Sequence, residues 1–258
     1  MKFKLSMFVI ALSSLFLSAC SAQNGESNGF FHTYLVEPFA NAIHGIASLF
    51  NGSYGLSIIL ITLIIRLVLM PLMLRQYKNQ QTMKIKMEAM KPELDKVQQK
   101  IKKTKDQAEQ QKLQQEMFAL YKKHNVNPLS MGCLPLLIQM PILMGLYYAI
   151  RGSSEIATHS FLWFNLGQPD LLITILAGAV YYLQFKVSMS NMPSEQQKQM
   201  KIMGLMSPLM IVFVSFSAPA ALPLYWTVGG TFLIIQTLIA RMLYRKNESN
   251  VVVNSENA

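Results

Sequence analysis

Charge is scarce in this chain of 258 residues: only 14% is Asp, Glu, Lys or Arg, where a soluble domain carries roughly 25%. Cysteine is scarcer still. Cys20 and Cys133 stand alone, which excludes a disulfide framework or a thiolate metal cluster. His32, His44, His124 and His159 are far apart in the chain, so no His-x-x-x-His spacing occurs, and neither a metal nor another cofactor is expected. Acidic residues are missing from long tracts: none lies between Glu37 and Glu88, Glu116 and Glu155, Asp170 and Glu195, or Glu195 and Glu248. The apolar tracts therefore hold no paired carboxylates and no Ser/His/Asp set, and no P-loop occurs to support ATP hydrolysis. The chain does not read as an enzyme.

What is abundant is apolar. Hydrophobic residues make up 52% of the chain, and the net charge is +10. Five segments are long and apolar enough to cross a bilayer: 55–74, 129–150, 171–187, 202–218 and 222–243. An all-α membrane protein follows, because each span must satisfy its backbone polar groups internally.

Residues 1–19 have a basic head (Lys2, Lys4), an apolar core from Leu5 to Leu17 and a small-residue boundary, the pattern of a secretory signal. Leu17-Ser18-Ala19-Cys20 also resembles the bacterial lipobox, in which Cys20 would take a diacylglyceryl group and begin the mature chain outside the cell. In the extracytoplasmic segment 20–54, Phe31, Leu35, Phe39, Ile43, Ile46 and Phe50 recur at helical spacing. An amphipathic helix on the outer surface and a helix packed onto the outer ends of others both fit that stripe.

Orientation follows from Lys and Arg in the connections. The segments 75–128, 188–201 and the end after Arg241 hold the basic residues, and the opposite connections hold only Arg151. The positive-inside rule puts the basic segments in the cytoplasm, the N-terminus outside and the C-terminus inside. An exported Cys20 requires the same orientation.

The segment 75–128 carries thirteen basic and six acidic residues. Met83, Met87, Met90, Leu94, Val97 and Ile101 form a heptad-like seam. Asp106 and Glu109 have the Asp-x-x-Glu spacing that caps a second helix, with its own stripe at Leu113, Met117 and Leu120. A cytoplasmic helical hairpin results, whose positive face suits anionic lipids, ribosomal RNA or an acidic partner. Without interleaved aromatics, sequence-specific nucleic-acid binding is not expected.

Arg66 lies inside the first span, at a cost of at least about 2.5 kcal/mol. No acid in any span can pair with it; the polar candidates are Thr62, Gln139 and Gln184, with water. A hydrated cavity open toward the cytoplasm would answer this, and its unpaired charge would hold the negative charge of a passing polar segment. An anion channel is the competing reading of the same Arg, and a lipid-anchored scaffold is a third.

IIRLVLMPL (64–72), ALYKKHNVNPLSMGCLPLLIQMPILMGLYYAI (119–150), YYLQFK (181–186) and LPLYWTV (222–228) closely resemble the YidC/Oxa/Alb membrane protein insertases, over about residues 55–245. The lipoprotein-type start looks like the Gram-positive branch. The resemblance implies a five-helix insertase and chaperone core that receives nascent membrane proteins in the plasma membrane, alone or beside the Sec translocon. It gives Arg66, Thr62, Gln184 and Trp226 the positions of groove residues. Some members dock ribosomes through a long basic tail; the tail 246–258 has Glu248 and Glu256 and no basic residue after Lys246, so that route is not expected.

Overall fold

The computed structural model describes residues 31–104, 106–124, 126, 133–190 and 194–256, the side chains of 133–136, 194–203 and 245–256 excepted. Cys20 and the signal-like segment lie outside the described residues. A π-helical turn, His32–Val36, runs into α1 (Glu37–Leu49). Then follow α2 (Tyr54–Ala89), α3 (Lys91–Lys103), α4 (Gln107–Lys123), α5 (Cys133–Gly152) and the short α6 (Ser154–Thr158). A two-stranded antiparallel ribbon, β1 (Ser160–Phe161) and β2 (Phe164–Asn165), precedes α7 (Leu171–Met189), α8 (Ser194–Ser215) and α9 (Ala221–Glu256).

Three helices are long and apolar enough among the described residues to cross a membrane: α2, α7 and α9 as far as Tyr244. Gly204–Ser215 in α8 is a shorter apolar stretch. Helix α9 packs between α2 and α7, and α8 lies against α7. This central place shows in burial, 44% of the apolar window of α9 against 22% for each of α2 and α7.

Local chemistry sets the helix starts. Ser53 caps α2 by accepting from Leu56 N at 3.5 Å, after a left-handed turn at Asn51 and Gly52. Asp170 caps α7 through Ile173 N at 3.0 Å, and Asp106 caps α4 through Ala108 N at 3.2 Å. Helix α2 continues through Pro71 and past position 74 to Ala89, so Met83 and Met87 lie on its far end, where they join Met90 and Leu94 in one cluster with Met117 and Leu120 of α4. The paired polar helices are α3 and α4.

Most of the core lies at the end of the bundle where α6, the β-ribbon and the 215–221 turn meet, here called the capped end. Ile58, Leu146, Ile156, Leu166 and Tyr225 are fully buried there. Ala220 N and Ala221 N donate to Gln168 O and Leu166 O at 2.9 and 3.0 Å, which staples the α8–α9 turn to the segment before α7. The α1 stripe packs inward: Phe39 and Leu35 press on Gly145 of α5, where an added Cβ would stand 2.8 and 2.9 Å away. Tyr54 Oη donates to Glu155 at 2.5 Å, and His44 Nδ1 lies 3.1 Å from the same hydroxyl. These contacts join α1, α2 and α6. At the opposite end, α3 and α4 bury a smaller cluster of Met87, Met90, Leu94 and Val126.

Candidate functional site

Arg66 is half-buried on α2, and its guanidinium lies over Gly229 of α9. A Cβ at Gly229 would stand 2.9 Å from Nη2 and 3.3 Å from Nε. The next residue, Gly230, is met by α7: a Cβ there would lie 2.8 Å from Val180 and 3.2 Å from Tyr181. Each Gly inside a helix costs about 1 kcal/mol against Ala. Here the missing side chains let α2 and α7 close on α9 from two sides, the packing role small residues take between apolar helices.

Tyr181 is within electrostatic reach of both Arg66 and Tyr225. The Tyr225 hydroxyl, in turn, accepts from Gln139 Nε2 of α5 at 2.6 Å. The Gln139–Tyr225 hydrogen bond thus joins α5 to α9, and Tyr181 of α7 stands at Gly230, next to the residue that Arg66 covers. No ion pair to Arg66 occurs among the described residues. Its guanidinium lies against the Gly229 backbone of α9.

The structure separates the residues singled out in the sequence. Thr62 is fully buried, and its hydroxyl donates to Ile58 O one turn back at 2.6 Å. Gln139 donates its amide to Tyr225. Gln184 donates to Ser188 Oγ at 3.1 Å on its own helix. Trp226 is buried in the capped-end cluster. Sequence reasoning passed over Gly229, Gly230, Tyr181 and Tyr225, although a Gly-Gly pair inside an apolar run was a usable signal. It also passed over Gln236, buried two turns beyond Gly229 on the same helix.

Toward the hairpin end, Tyr77 of α2 stacks on Tyr244 of α9 with centroids 6.2 Å apart. Arg241 of α9 donates to Val187 O and Ser190 Oγ at the end of α7. These two contacts hold α2 and α7 to α9 beyond the Arg66 level. In the hairpin, Lys123 Nζ donates to Glu93 at 3.1 Å and His124 Nε2 lies 3.5 Å from it. The Lys123 hydrogen bond, helped by the positive charges of Lys123 and His124, holds the Glu93 carboxyl below its ordinary value. A surface groove of about 450 Å³ between α3 and α4 is lined by Glu93, Lys96, Lys100, Lys103, Glu116 and Leu120 among others. The described residues contain no group of three His, Cys, Asp or Glu able to hold a metal ion.

The family model described as 60Kd inner membrane protein matches residues 45–248, a range that contains every element of this site. The chain belongs to that family. Membrane protein insertase YidC 2 of Listeria monocytogenes is 54% identical over 240 residues, covering 93% of this chain and 87% of the relative. Membrane protein insertase MisCB of Bacillus subtilis is 46% identical, covering 96% of this chain and 94% of its own length. Among solved structures, a crystal structure of an active YidC insertase with its first transmembrane domain resolved matches with a TM-score of 0.56 and 26% identity. That match covers 87% of this chain, which spans about half, 49%, of the solved chain. The family's named relatives are Gram-positive insertases, in agreement with the resemblance carried by IIRLVLMPL and LPLYWTV.

Proposed function

We propose that this chain is an insertase and chaperone for nascent membrane proteins, and that Arg66 is the charge its clients meet. The observation that carries the reading is Arg66 itself, half-buried on an apolar helix, with no carboxylate paired to it among the described residues. Leaving a cation unpaired at membrane depth is costly, and a charge so placed attracts the negative charge of a polar client tail during its transfer. Gly229 gives the guanidinium room to lie against α9, and Tyr181 with Tyr225 supplies a polar wall. Helix α5 supplies the other wall, tied to α9 through Gln139.

In this reading five spans cross the plasma membrane, including α5 and α8, with the α3–α4 hairpin and the C-terminus in the cytoplasm. Residues 1–19 are a signal peptide, and Cys20 carries a lipid outside. The basic face of the hairpin receives clients and contacts anionic lipids. The protein works with or without the Sec translocon, and any ribosome contact does not use a long basic tail.

Site-specific crosslinking from positions 62, 184 and 226 to a stalled nascent membrane protein tests the groove, with Gln184 the expected strongest adduct because it is partly exposed. Absence of adducts together with anion flux in liposomes would overturn insertion in favour of an anion pathway. Arg66→Lys retains the charge and is expected to keep insertion of clients with acidic extracytoplasmic tails, whereas Arg66→Ala abolishes it. Equal insertion by the two variants would remove the electrostatic account.

A further inference from the structure

The β-ribbon at the capped end has an unusual turn. Its sequence is Phe161-Leu162-Trp163-Phe164, and Phe161 pairs with Phe164 across the two strands. Those two rings pack inward. Phe164 is buried, and Phe161 lies on the backbone of Gly55, where a Cβ would come 2.1 Å from its ring. The pinned pair directs the turn residues outward: Leu162 is 71% and Trp163 54% exposed. Leu162 has φ of 53°, the left-handed region where a hairpin turn wants Gly, Asn or Asp and a bulky side chain is strained. Strain that leaves a large apolar side chain in water has no return within the chain.

The turn is tied at a definite level. Trp163 Nε1 donates to Asp170 Oδ1 at 3.3 Å, and the same oxygen caps α7 through Ile173 N. Beside it the exposed apolar surface of α7 begins at Leu171, Leu172 and Ile175. The turn is therefore continuous with the side of a helix long and apolar enough to cross a membrane, at its first turn. An indole whose ring meets apolar surface while its nitrogen meets a carboxylate has the chemistry of the membrane–water boundary.

We propose that Leu162 and Trp163 form an interfacial anchor, seated in the boundary between headgroups and acyl chains of the leaflet at the capped end. The inference rests on the reading of α7 as a membrane span. The anchor holds the β-ribbon, and through Phe161 the start of α2, at a fixed depth while the opposite end of the bundle handles clients.

The chain has two Trp residues, so the full-length Trp226→Phe protein reports on Trp163 alone. In phosphatidylcholine–phosphatidylglycerol vesicles its emission should be blue-shifted. Lipids brominated near the ester bond should quench it more than lipids brominated near the chain terminus, and aqueous iodide should quench it weakly. Solvent-like emission with strong iodide quenching overturns the proposal, as does stronger quenching from the chain terminus or none from any of the three. The difference between wild-type and Trp163→Phe spectra gives the same readout with Trp226 in place. Leu162→Asn, which tolerates the left-handed backbone but lacks the apolar side chain, should shift Trp163 emission to the red. Unchanged emission overturns the role of Leu162. Client insertion is measured separately, so failure of the quenching result leaves the Arg66 reading standing, and failure of insertion leaves the depth of Trp163 unaltered.

Discussion

At the capped end, Ile58, Leu146, Ile156, Leu166 and Tyr225 leave solvent together, and residues far apart in sequence close on one another, as Tyr54 does on Glu155. In the hairpin arm, burial is confined to one thin seam around Met90 and Leu94, and the ties are exposed pairs such as Glu93 with Lys123. Between them, at the Arg66 level, the guanidinium lies against the Gly229 backbone and no acid pairs with it among the described residues. The contrast separates three uses of the same helices: a densely packed cap, a middle where two glycines let α2 and α7 approach α9 around a charge, and an adaptable arm. Met, unbranched and polarizable, suits the last.

Substitutions can break this comparison at each level. Leu166→Ala, at a fully buried position, is expected to lower global stability by about 2 to 5 kcal/mol in detergent unfolding. Met90→Ala should change hydrogen exchange mainly in α3 and α4. If both substitutions lowered the same global transition, cap and arm would be one cooperative unit.

Glycines sharpen the distinction. At Gly167 a Cβ would lie 2.2 Å from Ala157 O, a backbone atom, so Gly167→Ala should cost about 1 to 3 kcal/mol. At Gly229 the obstacle is the end of the flexible Arg66 side chain. Gly229→Ala should therefore leave thermal unfolding nearly unchanged while displacing the guanidinium and reducing insertion. Equal unfolding shifts for the two would deny Gly229 a separate role.

The smallest effect is pH. Glu93 is held below its ordinary value in the folded hairpin, so its contribution is present above the unfolded carboxylate pKa and is lost as pH falls through the folded one. Acidification should speed exchange at the α3–α4 contact without moving the capped end. Glu93→Gln should remove that pH dependence.

Arg66 and the missing acids were legible in the sequence, because hydropathy places a span and a lone charge inside it is conspicuous. The Asp106 cap was legible for a similar reason, being local in the chain. Which partners meet was not: Gln139 and Tyr225 are 86 residues apart, and Gln184 bonds within its own helix. The α1 stripe left two readings open; Leu35 and Phe39 meet Gly145 while Phe50 is exposed, a division that no sequence period reports.

From the sequence by itself come the mainly helical character, though not the β-ribbon at 160–165, the family resemblance and the uncompensated charge, because periodicity, hydropathy and residue type act within a few turns of helix. Only the tertiary structure decided that Arg66 rests on Gly229, that Tyr181 stands at the neighbouring Gly230, and that Leu162 and Trp163 are exposed. Those outcomes depend on which helix faces approach, and close approach is set by side chains that are absent, as at Gly229 and Gly230, as much as by those present.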